Sequence, residues 1–289
     1  MTETRIELDG RTWSVREAGD PSGRPLVYFH GTPSCRLESA FADAVCGERG
    51  VRLVSFDRPG YGESTPQPFG LASVATATAA IADRLGLGRF ATLGQSGGGP
   101  FSLACAAILG DRVIRAGVTA GAVPFQLMPS ATSRLDDDDR SAVALLPDRE
   151  AAAAAFARAF EPLRVALQGR DADILAGMRA RGSARDRRLL DRPETAALLV
   201  ASRRAAMVSG TSGGGWDNVA WVGPWDVDLA DVRRPVHLWY GDDDPIAAEG
   251  AGHWLAAHLP DATLHTWAGD GHLGVIEHVD EVLDTLLAE

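Results

Sequence analysis

The sequence predicts an α/β protein: a mostly parallel central sheet, helices on both faces, and a helical insertion before the sheet is completed. Three observations predict it. Continuous apolar runs, "PLVYFHG", "VRLVSFD", "FATLG" and "IRAGVTAG", alternate with helical segments in the first part of the chain. Such runs mark strands buried on both faces, and strand–helix alternation builds parallel sheets. From about Pro124 to Asp231 there are helix signals only, and the sheet pattern then resumes at "PVHLWYG" and "ATLHTWAG". The expected organisation is a first sheet part over 1–123, a helical insertion over 124–230, and a second sheet part over 231–289.

The elements follow in order. "RIELD", a turn at Gly10 and "TWSVREAG" read as two strands with partial alternation. "PLVYFHG" is a buried strand, followed by a helical segment from Leu37 to Arg49. "VRLVSFD" is the next strand, ended by "RPGYGES". An alanine-rich helix spans about Leu71 to Leu85, then "FATLG" leads through "GQSGGG" into the helical "PFSLACAAIL". In the insertion, "REAAAAAFARAF" is helical by propensity, and "RDADILAGMRARGS" and "RPETAALLVASRRAAM" look amphipathic. The acidic run Asp136–Asp139 reads as a solvated loop or helix start, and "SGTSGGGWDN" as a glycine-rich connection. Helices over Gly250–His258 and Val279–Ala288 flank the last strand.

Composition narrows the function classes. The 289 residues suffice for one large domain with an insertion or for two small ones, and the 45 % apolar content supports a sizeable core. The net charge of −11 disfavours nucleic acid and anionic membrane as partners. All 28 basic residues are arginine, so Schiff-base chemistry on a lysine is excluded. Three cysteines, Cys35, Cys46 and Cys105, match no zinc or CxxC spacing and fit a reducing compartment. "MTETRIELDG" has no apolar signal core, and no run reaches the roughly 18 apolar residues of a membrane span. The expected location is the cytoplasm.

"GQSGG" at 94–98 matches G-x-S-x-G. A serine on a very sharp strand-to-helix turn projects its hydroxyl clear of the backbone. The turn crowds the positions two before and two after, where Gly94 and Gly98 carry no Cβ. The helix that follows points its unpaired N–H groups at the serine, and Pro100 suits its first turn. The motif is short, but its setting between a buried strand and an apolar helix is the one a nucleophile elbow needs. A serine hydroxyl is a weak nucleophile without a base. Of seven histidines, His237 and His265 fall inside strands, and His253, His258 and His278 on helices. His272 in "AGDGHLG" follows the last strand, on the side where open α/β sheets carry ligands. Among the acids of "YGDDDPIA", Asp244 before Pro245 is the best partner for it. The order Ser96, Asp244, His272 then suits acyl transfer. Donors for a tetrahedral oxyanion come from the Thr32 N–H in "FHGTPS", since Pro33 has none, and from the Gly97 N–H. His30 is expected to brace that loop.

Together "HGTP", "FDRPGYGES", "GQSGGGP", "GDDDP" and "GDGH" resemble the α/β-hydrolase superfamily, in order and spacing over residues 25–123 and 231–289. The resemblance implies a sheet of about eight strands with a catalytic triad at their carboxyl ends. It also implies that the insertion is a cap domain roofing the site, and that Asp57 and Arg58 belong to a structural turn. A serine at the elbow departs from the aspartate of haloalkane dehalogenases and epoxide hydrolases. "GQSGGG" also differs from the "GGSWGS" typical of proline iminopeptidases. The expected activity is hydrolysis of a small, mostly uncharged ester, thioester or lactone, with no metal or organic cofactor. Other readings are an amidase or aminopeptidase, with Glu161 or Glu194 for the substrate amine, a C–C bond hydrolase or lyase, and a non-catalytic ligand-binding protein. Most aromatic residues of the insertion are expected to hold it together. Gln95, Phe125, Trp216, Trp221 and Trp225 are the candidates for pocket wall.

Overall fold

A computed structural model describes residues 1–288. Eight strands are present: β1 (Thr2–Leu8), β2 (Arg11–Gly19), β3 (Arg24–Phe29), β4 (Val51–Phe56), β5 (Phe90–Gln95), β6 (Val113–Thr119), β7 (Val236–Gly241) and β8 (Ala262–Trp267). They form one sheet in the order β1-β2-β4-β3-β5-β6-β7-β8. The pairs β1–β2 and β2–β4 are antiparallel; β4 through β8 run parallel. The first half also contains α1 (Asp43–Glu48), α2 (Leu71–Arg84) and α3 (Gly99–Ile108). Between β6 and β7 come α4 (Pro129–Thr132), α5 (Asp137–Val143), α6 (Arg149–Ala166), α7 (Asp171–Arg181), α8 (Ala184–Leu190), α9 (Pro193–Ala206) and α10 (Ser212–Trp221). Helices α11 (Ala251–His258) and α12 (Val279–Leu286) complete the chain. No described helix is long and apolar enough to cross a membrane.

Alternation along the buried strands sorts the core into two layers. Val27 and Phe29 of β3 pack with Leu71, Val74 and Ile81 of α2, Phe101 and Leu103 of α3, and Leu255 of α11. Leu26 and Tyr28 point the other way and join Cys46 of α1 and Val282, Leu283 and Leu286 of α12. All three thiols are free and buried, and burial pushes those of Cys46 and Cys105 up to about 12.

Three local expectations are corrected. The segment Leu37–Arg49 is not one helix: a 3-10 turn over Arg36–Ala42 precedes α1. A short helix, α8, was not anticipated; its start is a capping box between Ser183 and Asp186. The stretch read as a glycine-rich connection is mostly helix α10. Its glycines serve close packing instead of flexibility. A Cβ on Gly213 would lie 2.7 Å from the Gly60 backbone, and one on Gly215 2.4 Å from Ala153 O in α6. Contacts that short are not tolerated by any side chain, so the glycines allow α10 to press onto both the "RPGYG" turn and α6.

Candidate active site

Strand β5 ends at Gln95, and the next residue, Ser96, has φ +53°. A left-handed backbone at a non-glycine residue costs on the order of 1–3 kcal/mol and persists only where the surroundings enforce it. Crowding does so here. A Cβ on Gly94 would lie 2.3 Å from Gly98 O, and one on Gly98 2.2 Å from Phe29 O. A short 3-10 turn over Ser96–Gly98 then opens α3, with Pro100 in its first turn.

The parallel register brings four strand ends to the same edge. Phe29 of β3 pairs with Gly94, which sets the loop His30–Thr32 beside the elbow. A Cβ on Gly97 would sit 2.3 Å from Thr32 Oγ1, so the two loops are in contact. The N–H groups of Thr32 and Gly97 have no partner among the described residues. The Thr32 hydroxyl, in contrast, donates to Asp217 Oδ2 at 2.6 Å and has no proton left for a substrate oxygen.

The loops after β7 and β8 bring Asp244 and His272 together. His272 Nδ1 and Asp244 Oδ2 are 2.8 Å apart, with the Asp244 side chain only 2 % exposed. Asp244 Oδ1 also accepts from the N–H groups of Ile246 and Ala247. Burial alone would raise the Asp244 pKa. The His272 charge and these hydrogen bonds outweigh it and hold the carboxyl below its ordinary value. A depressed folded pKa means the interaction stabilises the fold above the ordinary carboxylate range and is lost as pH falls through the folded value. With Nδ1 engaged, Nε2 is the ring nitrogen left without a partner among the described residues. Ser96, His272, Thr32 and Gln95 all line one cavity of about 60 Å³.

Other predicted residues are distributed as follows. Gln95 bridges strands: Nε2 donates to His272 O at 2.8 Å, and Oε1 accepts from the Thr119 hydroxyl on β6. A glutamine supplies both a donor and an acceptor at that place, which accounts for the residue type. Phe125 and Trp221 pack on each other with ring centroids 5.7 Å apart and line an adjacent cavity of about 360 Å³. Trp221 reaches the elbow, its Nε1 3.1 Å from where a Gly97 Cβ would be, and that buried N–H has no partner. The structure brings none of the four aromatic candidates, Phe125, Trp216, Trp221 and Trp225, to the cavity of Ser96 itself. Trp216 lies under the Arg149 guanidinium, and Trp225 lines a separate cavity of about 700 Å³. Trp216 is held away because α10 presents Trp221 toward the elbow, five residues later; Trp225 lies beyond the end of α10, its indole N–H donating to Trp221 O. His30 is fully buried, takes the Arg58 N–H on Nε2 and bonds Gly31 O through Nδ1; burial, then the Arg58 charge, lower its pKa. His278 precedes α12 and pairs with Asp270.

A matching family model sets these observations in context: the α/β hydrolase fold model matches residues 24–279. The chain belongs to the α/β-hydrolase family. A pimeloyl-[acyl-carrier protein] methyl ester esterase of Aromatoleum aromaticum is 39 % identical to this hydrolase over 57 residues, 20 % of this chain and 23 % of that one. The chain matches under a quarter of the length of these curated relatives. Among solved structures, the bromoperoxidase of Bacillus anthracis aligns over 100 % of both chains at TM-score 0.72 and 19 % identity. The esterase of Exiguobacterium antarcticum aligns over 99 % of this chain and 98 % of its own at 0.70 and 18 %. The enol-lactonase of Burkholderia xenovorans LB400 aligns over 99 % of this chain and 100 % of its own at 0.68 and 18 %. At these identities the likeness is one of fold.

Two residues of this hydrolase that the sequence did not single out hold the site loops in place. Asp217 on α10 is fully buried and forms an ion pair with Arg58 at 2.6 Å, while also accepting from Tyr61 Oη at 2.9 Å. Arg58 in turn donates to His30 O and Gly31 O. Asp186 on α8 accepts the N–H of His272 at 3.1 Å and of Leu273 at 2.8 Å. The Ser183-x-x-Asp186 capping pattern was readable; that its carboxylate also reaches the loop after β8 was not. Replacing Asp186 by alanine is expected to lower kcat by about 10- to 100-fold through misplacement of His272. Asp186→Asn, which keeps one acceptor, should recover part of it. A kcat unchanged in the alanine variant would refute the positioning role.

Proposed function

We propose that this α/β hydrolase is a serine hydrolase acting on a compact carboxylic ester, thioester or lactone through an acyl-enzyme. The observation that carries the reading is the shared cavity of Ser96, on its left-handed turn, and His272, whose far nitrogen is held by Asp244. In the mechanism, His272 Nε2 takes the Ser96 proton as the hydroxyl attacks the carbonyl. The Thr32 and Gly97 N–H groups receive the developing oxyanion. Asp244 keeps the proton on Nδ1 and balances the imidazolium. His272 then protonates the leaving oxygen or sulfur, and water repeats the sequence to free Ser96. The reading requires no metal or organic cofactor.

The names of similar proteins support the bond type: methyl ester esterases among the relatives, an esterase and an enol-lactonase among the solved structures. A cavity of about 60 Å³, roughly two water volumes, favours a compact reacting group. The helices between β6 and β7 act in this reading as a cap, since α9 contributes Leu198, Leu199 and Arg203 to the cavity wall. The aminopeptidase alternative loses support: Glu161 is engaged by Arg164 and Thr211, and Glu194 is exposed at the start of α9. Neither lines the cavity.

A fluorophosphonate probe tests the reading. Labelling of the native protein at Ser96, with turnover of p-nitrophenyl acetate exceeding that of aminoacyl anilides, is the expected result. Labelling that persists at another residue in Ser96→Ala would refute it.

A further inference from the structure

Arg203 stands out among the arginines of this chain. It lies on α9, about three turns from Pro193, and its side chain lines the same cavity as Ser96 and His272. It makes no hydrogen bond and no ion pair among the described residues, although acidic residues outnumber arginines 39 to 28. The acidic residue of the cavity wall, Glu38, is engaged elsewhere. Glu38 Oε1 accepts from Tyr28 Oη at 2.7 Å and from the Gly31 N–H at 2.8 Å, and no oxygen of Glu38 comes within ion-pair distance of Arg203. Burial pulls the Arg203 pKa down; Glu38 acts against that from a distance, and the Arg181 charge adds to the lowering. Arg181, equally without a partner among the described residues, lines the neighbouring cavity beside Trp221. The fully buried arginines are compensated: Arg16 by Asp43, Arg36 by Asp57 and Arg58 by Asp217.

A guanidinium taken partly out of water without a partner is unfavourable, and such groups mark places where a ligand supplies the missing charge. Its planar fork suits a carboxylate, which it binds through two parallel hydrogen bonds. We propose that Arg203 is a specificity-determining residue that pairs with a carboxylate carried by the substrate, so that this hydrolase acts on esters of molecules bearing a free acid group. The proposal rests on the serine-hydrolase reading and replaces its expectation of a mostly uncharged substrate. Apart from Tyr28, Glu38 and the residues of the candidate site, the cavity wall is largely apolar, with Phe41, Leu198, Leu199, Val275 and Ile276. This lining therefore matches a substrate that pairs an anionic group with a hydrocarbon body, the part beyond the small cavity extending out of it.

Two matched pairs of esters test this. One pair carries the acid on the acyl side, monophenyl adipate against phenyl hexanoate. The other carries it on the alcohol side, 4-acetoxybenzoate against 4-acetoxybenzamide. The native enzyme is expected to favour the acid in at least one pair by tenfold or more in kcat/KM, chiefly through KM. Arg203→Gln should cut that preference at least tenfold, and Arg203→Lys should retain part of it. Calorimetric titration with adipate gives a reading independent of turnover: binding weakened at least tenfold in Arg203→Gln is expected. Hydrolysis of the neutral esters without any acid preference, or a preference that survives Arg203→Gln, overturns the proposal alone. Absence of turnover with all four esters removes the hydrolase reading, and adipate binding equal in native and Arg203→Gln protein then also removes the carboxylate site.

Discussion

Replacing Ser96 by alanine is expected to reduce kcat for p-nitrophenyl acetate by about 10³- to 10⁶-fold, with the fold retained. The size of the loss follows from how the reaction is divided. Without the hydroxyl there is no acyl-enzyme, and what remains is whatever the Thr32 and Gly97 N–H groups do for direct attack by water. His272 and Asp244 should then contribute almost nothing, so His272→Ala made on top of Ser96→Ala is expected to add less than about tenfold, because the members act as a unit. Stability offers a second reading of the same position. Alanine inherits the φ of +53° at Ser96, whereas glycine adopts it freely. Ser96→Gly should therefore be as inactive as Ser96→Ala yet more stable by about 1 kcal/mol in urea unfolding. Full activity in either variant would remove Ser96 from the chemistry; equal stability of the two would show that the turn is not strained.

Removing the carboxylate of Asp217 is expected to have the largest effect on stability. In Asp217→Ala the Arg58 guanidinium, 0 % exposed, is left charged and unpaired. Breaking one partner of a buried pair typically costs about 3–5 kcal/mol. The damage should not stop at stability. Asp217 also holds the Thr32 hydroxyl, and Arg58 holds the carbonyls of His30 and Gly31. The loop that carries the Thr32 N–H thus loses its support from both sides. A double replacement, Arg58→Met with Asp217→Leu, is expected to regain much of the stability, since a hydrophobic pair avoids the desolvation of two charges. It should not regain the turnover, since neither new side chain can hold the His30–Thr32 loop. Chemical denaturation together with kcat separates the two effects. Turnover that recovers along with stability would show that the network only holds the fold.

How far these features were legible depends on how local their causes are. The strands were readable because burial on both faces demands continuous apolar runs, and β3, β4, β5 and β6 begin and end close to the limits those runs suggested. The elbow was readable because its glycines answer a clash within five residues, Gly94 against Gly98. His272 and Asp244 were readable because a parallel sheet sends every strand's carboxyl end to one edge, whatever lies between in sequence. The misreadings have the opposite cause. "SGTSGGGWDN" has the composition of a flexible connection, and only the approach of Gly60, Phe160 and Ala153 turns its glycines into a packing surface. Trp216 and Trp225 flank Trp221 closely in sequence. Whether Trp216 or Trp221 faces the elbow depends on the rotation of α10 about its axis, set by its contact with α6, and Trp225 lies past the end of that helix.

The same division holds for the chemistry. Nearest-neighbour sterics and strand order, both written in the chain itself, determined that a serine would stand on a sharp turn with a histidine and an aspartate on neighbouring loops. Which charges are compensated is a different kind of property, because it depends on groups far apart in sequence meeting in a medium with little water. Arg58 and Asp217 are 159 positions apart, and Asp186 and His272 are 86 apart. Arg203 is distinguished by the absence of such a meeting. Only the packed helices between β6 and β7 decide that two arginines of one chain, equal in sequence, become a sealed internal brace at one place and an unanswered charge in the cavity of Ser96 at another.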